Sequence, residues 1–197
     1  MLLQIAVRVP DAHDPLGLLA ASLRRHLSRL RALSYASAHL LDADEDSRAQ
    51  AAEGLREALA FFAGASDDPF RDEADILFPW LSERTPGDRE LSQHCASLCQ
   101  DRGRAAALHR DASEHGRALA AGELSTTRLR QLGLAADGLE ELYRAHLERL
   151  EGAIFPRAQA LLQEVDRGLL GEQMLRVTRA TVAPDDAQVE PVASGLP

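Results

Sequence analysis

Apolar residues recur every three or four positions along most of the chain, which is the spacing of helices with one buried face. The first such stripe follows Pro15 and predicts a helix over about residues 15–42, which an acidic run at 42–46 then ends. The apolar positions of this helix are Leu16, Leu19, Leu23, Leu27, Leu30 and Leu41.

A second helix is predicted from Ser47 and is interrupted at residues 64–69. This segment contains Gly and Pro, which oppose a continuous helix because Pro lacks a backbone N–H and Gly costs more to order. The helix is expected to resume over 70–81 and to end near the Pro-Gly pair at 86–87.

Two further long stripes predict helices over about 88–121 and 125–162, and a short helix is expected at 169–178. Four long helices with short connections favour antiparallel neighbours. The predicted fold class is therefore all-α, an up-and-down antiparallel four-helix bundle with a short C-terminal helix. The predicted segments are an N-terminal extension (1–14), the bundle (15–165), the terminal helix (166–180) and a disordered tail rich in Pro, Asp and Gly (181–197).

Composition agrees with one helical domain and excludes several functions. The chain has 197 residues, only 4% of them aromatic, and is rich in Ala, Leu, Arg and Glu. A net charge of −9 opposes nucleic acid and anionic membrane surfaces as partners. All basic residues other than His are Arg. Without Lys, a Schiff-base nucleophile and the usual phosphate-binding P-loop are both excluded.

Cysteine use and the N-terminal sequence predict a soluble cytoplasmic protein. Cys95 and Cys99 match neither a disulfide framework nor a zinc site. The alternatives are two small apolar residues in a helix seam, which is the default, and a redox pair one helical turn apart. The first ten residues do not have the form of a secretory signal, and no later stretch is long and apolar enough to span a membrane.

A short Phe-Pro phrase occurs twice, at residues 76–79 and 153–156. His146 and Glu151 lie ten and five residues before the proline of the second copy, whereas the same places before the first hold Pro and Ala. His and Glu are metal ligands. Five residues correspond to a divergence of about 140° on an ideal helix, so spacing alone makes this a weak metal motif.

These segments resemble the hemerythrin-like (HHE cation-binding) family. Residues 142–147 and 151–156 look like its fourth helix, and the likeness extends over about residues 10–180. Further similar segments are 14–19, 61–62, 78–81 and 170–174. The resemblance implies a four-helix bundle with a di-iron centre held by histidines and carboxylates from its helices.

The chain departs from the family at most ligand positions. The first helix has Leu23 where the family has His, and the second has no His at the corresponding places. Counting back from Gly103 places Gln100 at the third-helix histidine. The positions aligned with the second-helix ligands are Pro69, Phe70, Glu73 and Ala74. The metal ligands that remain are His146, Glu151 and Glu73.

Two functions follow from this ligand set. The first is a non-enzymatic interaction or regulatory module with a degenerate di-iron site and no metal, in which Leu23 and Phe70 fill the former site and the partner is an unknown protein. The alternative is a protein that senses or handles oxygen, nitric oxide or iron through a reduced ligand set. His26 could join that set if the helix register moved by three, although a boundary position beside the apolar stripe is the default expectation.

Overall fold

The regular structure of this protein is helical throughout the described residues, which in the computed structural model are 11–42, 45–64, 70–121 and 125–182. The α-helices are α1 (Pro15–Asp42), α2 (Glu45–Gly64), α3 (Phe78–Arg84), α4 (Arg89–Ala120), α5 (Thr126–Arg149), α6 (Phe155–Leu161) and α7 (Glu164–Val182). Two π-helical turns, Glu73–Leu77 and Leu150–Ile154, run directly into α3 and α6. The predicted all-α class is confirmed.

Helix boundaries agree closely with the apolar stripes, with one difference. The terminal helix α7 covers Glu164–Val182 and is longer than the predicted 169–178. Of the predicted break at 64–69, Gly64 ends α2 and the rest lies outside the described residues, as do 1–10 of the predicted extension and 183–197 of the predicted tail. Among the described helices, none has the length and apolar character needed to cross a membrane.

Aspartates set the beginnings of two long helices. The side chain of Asp88 accepts a hydrogen bond from the backbone N–H of Leu91 at 2.9 Å, at the start of α4. Asp14 accepts in the same way from the N–H of Gly17 at 2.9 Å, at the start of α1. Each carboxylate satisfies a backbone donor that has no partner within its own helix.

Helix α5 packs against α1 on one side and α4 on the other, and α2 packs against both α1 and α4. In two of these pairs, α1 with α5 and α2 with α4, the residue numbers of the contacts fall along one helix as they rise along the other. For α1 with the chain of α5 and the following π turn, the pairs are Arg31 with Glu140, Ser34 with Asp137, and Arg24 with Glu151. For α2 with α4, the pairs are Leu59 with Gly116 and Phe62 with His109.

The two Phe-Pro phrases share a backbone geometry. The N–H of Phe78 donates to the carbonyl of Glu73, and the N–H of Phe155 donates to the carbonyl of Leu150, five residues earlier in each case. The proline that follows has no N–H, and its ring would crowd the carbonyl four residues before it in an α-helix. A widened turn before each proline lets the helix continue. Such π turns occur often at functional sites.

Buried apolar side chains form two clusters. One lies around α1, the first π turn, α5 and α6, and includes Leu23, Phe70 and Leu77, none more than 3% exposed. The other lies between α1, α2 and the far ends of α4 and α5, and includes Leu33 and Leu132. The first cluster surrounds the candidate site.

Candidate functional site

His146 is buried inside the helices with a carboxylate at each ring nitrogen. Its side chain is 1% exposed, and it projects from α5. Nε2 lies 2.6 Å from Oε2 of Glu73, which is in the first π turn. Nδ1 lies 3.1 Å from Oδ2 of Asp101, in the middle of α4. Three separate segments therefore bring ionisable groups together in the core.

Two arginines extend the hydrogen bonds of this group toward the surface. Arg149, one turn further along α5, donates to the same oxygen of Asp101 and, at 3.0 Å, to the hydroxyl of Ser97. Arg104, three residues after Asp101, lies 3.5 Å from its Oδ1. The buried carboxylate of Asp101 therefore has two guanidinium partners as well as the ring of His146, as a buried charge requires.

Aromatic and apolar side chains enclose the rest of His146. The ring of Phe70 stands edge to face with the imidazole, with centroids 4.6 Å apart, and also contacts Tyr143 at 4.8 Å. The Tyr143 hydroxyl lies 2.8 Å from Nε2 of His109 on α4. Leu23 is fully buried in the same cluster. Apolar packing thus lies at two positions where the resemblance implied imidazoles.

Glu151 lies apart from this group. Its side chain is 42% exposed and pairs with Arg24 of α1. The divergence of about 140° between positions five apart on a helix agrees with this placement, since His146 faces the core. Of the three sequence-predicted ligands, the structure brings together Glu73 and His146 and leaves Glu151 at the surface.

Asp101 is the site residue that sequence reasoning missed. The family register pointed to Gln100, which is exposed, whereas its neighbour Asp101 is 3% exposed. A signal was present, because Asp101 lies three residues after Leu98 and four before Ala105, both buried on the same stripe. An acidic residue at an apolar stripe position indicates a buried polar contact.

His26 is a core residue and does not lie at the boundary, where the sequence had placed it. It is 3% exposed, and its Nδ1 lies 2.9 Å from the carbonyl oxygen of Ser22 in its own helix. Its ring contacts are aromatic, with centroids 5.3 Å from Phe61 and 6.0 Å from Tyr143. Aromatic packing explains this burial.

The cysteines are free thiols, and Cys95 faces the apolar core in part. Burial, and secondly the neighbouring Cys99, raise the pKa of Cys95 to about 11. Burial also raises the pKa of Cys99, with the charge of Glu73 as the next cause. A raised pKa lowers the thiolate fraction that redox chemistry needs.

The donor set does not fit the di-iron centre that the resemblance implies. Within the described ranges, no group of three or more His, Cys, Asp or Glu side chains is arranged to hold a metal ion. Asp101 lies on the ring nitrogen opposite Glu73, so the two carboxylates and the imidazole do not point toward one common position. Each ring nitrogen is engaged by a carboxylate.

No protein-family model matches this chain, and no curated protein matches it. The hemerythrin-like resemblance therefore rests on the motifs and their spacing in this sequence.

Proposed function

We propose that this protein is a divergent hemerythrin-like, up-and-down four-helix bundle whose di-iron site has become a metal-free polar core, and that it acts as a non-catalytic interaction or regulatory module. The antiparallel pairing of α1, α2, α4 and α5 supports the bundle. We place its action in the cytoplasm because its cysteines are free thiols.

The observation that carries the proposal is the engagement of both ring nitrogens of His146. A histidine binds a metal through a nitrogen lone pair, and here Nε2 and Nδ1 each lie against a carboxylate oxygen. Arg149 and Arg104 supply positive charge to Asp101. These guanidinium groups neutralise the Asp101 carboxylate in the way that a metal ion would, and they need no additional ligand.

A partner surface is available on the outside of the helices. Tyr35 on α1 and Leu134 on α5 are each 64% exposed. Ser34 and Asp137, which are hydrogen-bonded to each other, place these two side chains near the same part of the α1–α5 face. Exposed large apolar side chains close together are typical of protein contact sites. The expected partner is another protein.

Iron content and stability test the metal-free state. Protein produced with added iron and purified under reducing conditions is expected to contain far less than one iron per chain and to show no oxo-bridge charge-transfer band. Fe(II) is expected to leave the melting temperature unchanged, because a ligand that binds only the folded state must raise stability. One or two irons per chain with a raised melting temperature would contradict the proposal.

The module role has its own test. Wild-type protein immobilised from the source cell extract is expected to retain a specific protein, and a Tyr35→Glu/Leu134→Glu variant of unchanged helix content is expected to lose it. A matched control replaces Gln93, which is polar, exposed and lies on α4, with Glu. If no protein is retained specifically, or if both variants retain it equally, the proposed partner surface is wrong.

The close approach of Glu73 and His146 motivates the second candidate, an iron-binding role through a reduced ligand set. These two ligand types meet at 2.6 Å in the core. If this candidate is correct, bound iron is lost in Glu73→Gln and retained in Glu151→Gln, because Glu151 lies outside the buried group. Iron that neither substitution affects would count against both residues as ligands.

A further inference from the structure

A second feature, separate from the His146 group, is a cavity of about 860 Å³ between the helices. Side chains from α1, α2, α4 and α5 line it. Its volume lies within the range of about 300–1,000 Å³ that is typical of sites for small organic molecules. Most of the lining is apolar, including Leu30, Leu33, Leu55, Leu59 and Phe62.

Small residues on the facing sides of α2 and α4 create this space. Ala52 and Ala60 on α2 lie opposite Ala112 and Gly116 on α4, and all four line the cavity. Leu59 of α2 lies close to the backbone of α4, since a Cβ added to Gly116 would lie 2.4 Å from Cδ2 of Leu59. Because the opposing side chains are short, the two helices leave an opening to solvent between them.

The charged residues of the lining are basic. Arg56 on α2 and Arg117 on α4 belong to it, together with His109, and among the described residues no Asp or Glu does. This is unusual for a chain whose net charge is −9. Arg56 is 66% exposed and pairs with Glu53 outside the lining.

Arg117 is the better placed of the two arginines to bind an anion. Its Nε donates to the carbonyl of Ser113 in its own helix at 3.2 Å. Among the described residues it pairs with no carboxylate, so its terminal NH groups retain donors for a bound anion. His109 lies eight residues before it on α4, about 12 Å along the helix axis, and its hydrogen bond to Tyr143 reaches toward the core. The lining of the cavity therefore combines basic side chains with apolar stretches of the helices.

We propose that this cavity binds an amphiphile with one alkyl chain and an anionic headgroup, such as a fatty acid. The alkyl chain lies among the leucines of α1, α2 and α5, and the headgroup binds Arg117 with Arg56 nearby. Apolar burial supplies the affinity and the arginines select the sign of the headgroup. The site shares no residue with the Glu73–His146–Asp101 group, so the inference does not depend on whether metal binds there.

The test compares three amphiphiles of equal chain length, each below its micelle concentration, by calorimetric titration of the full chain. Dodecanoate is expected to bind saturably with one molecule per chain, and dodecanol and dodecyltrimethylammonium at least tenfold more weakly. Arg117→Gln should weaken dodecanoate binding about tenfold, the size expected for a hydrogen bond to a charged group. Arg110→Gln is the matched control, because Arg110 is exposed on the same helix and does not line the cavity.

Two cavity-filling substitutions locate the alkyl chain. Ala112→Leu and Ala120→Leu both place a larger side chain in the lining, and Ala120 is exposed, so its substitution should leave folding intact. Each is expected to weaken dodecanoate binding at least tenfold, with melting curves confirming the fold. No saturable binding, equal affinity for the cationic amphiphile, equal losses in Arg117→Gln and Arg110→Gln, or unchanged binding in both filled variants would each overturn the proposal.

Discussion

Replacing His146 with Leu tests whether the buried polar group is part of the folded core. The substitution places an apolar side chain of similar size in α5 and removes both nitrogens that face carboxylates. Asp101 retains Arg149, whereas Glu73, 1% exposed, loses the ring nitrogen that lies 2.6 Å from its Oε2. The matched control is Glu151→Gln, since Glu151 was the other sequence-predicted ligand of the second Phe-Pro segment.

The expected cost follows from burial. Removing one partner of a buried ion pair destabilises a protein by about 3–5 kcal/mol, out of a total unfolding free energy of about 5–15 kcal/mol. The Arg24–Glu151 pair is exposed, and pairs of this kind contribute about 0–1 kcal/mol. With a urea dependence of about 2 kcal/mol per molar, the unfolding midpoint should fall by about 2 M for His146→Leu and by about 0.5 M or less for Glu151→Gln.

Urea unfolding followed by circular dichroism measures both changes, and a double variant completes the design. Glu73→Leu/His146→Leu replaces the pair with apolar groups and should recover at least about 2 kcal/mol relative to His146→Leu, because an apolar pair costs less than a single buried charge. A chelator should not change these values. The reasoning is refuted if His146→Leu costs no more than Glu151→Gln, or if the double variant shows no recovery.

Three further predictions concern other parts of the chain. Gly171→Ala should lower the melting temperature, because its Cβ would lie 1.7 Å from a backbone oxygen, whereas Gly103→Ala, with nothing within 4 Å, should gain about 0.5–1 kcal/mol of stability in urea. The backbone N–H that Asp88 caps is the largest cause lowering the pKa of this carboxyl below 3.8. As the pH falls, this carboxyl is therefore protonated in the unfolded state before it is protonated in the folded state. Stability should fall as the pH drops below about 4. Melting followed from pH 5 to 3 should show a smaller loss of stability in Asp88→Asn. At pH 8 a disulfide reagent should modify Cys99 before Cys95, since burial raises the Cys95 pKa to about 11; equal rates would contradict that burial.

The helices could be predicted because their signal is local. In α1, an apolar residue at every third or fourth position places Leu16, Leu23 and Leu30 on one face of the backbone, and all three are buried. Helix α4 begins at the aspartate that caps it. The extent of α7 was less predictable, because its packing partners lie far away in the sequence.

The candidate site could be predicted only in part. Glu73 and His146 were found through the resemblance to the hemerythrin-like pattern, and they meet in the core. Counting from Gly103 in the family pattern led to Gln100, whereas the buried residue is its neighbour Asp101. Counting along the sequence contains no information on how the helix is rotated about its axis. A shift of one residue turns a side chain by about 100° around the helix axis, which is the difference between solvent and core.

The sequence by itself determined that this protein is helical and approximately where its long helices lie, because both depend on residues close together along the chain. Only the tertiary structure decided which polar groups meet. Asp101 reaches His146 from α4, Glu73 reaches it from a π turn, and Glu151 faces solvent beside Arg24. The physical reason is that contacts between helices depend on their rotation and relative shift, which the packing of whole helices sets and local periodicity does not.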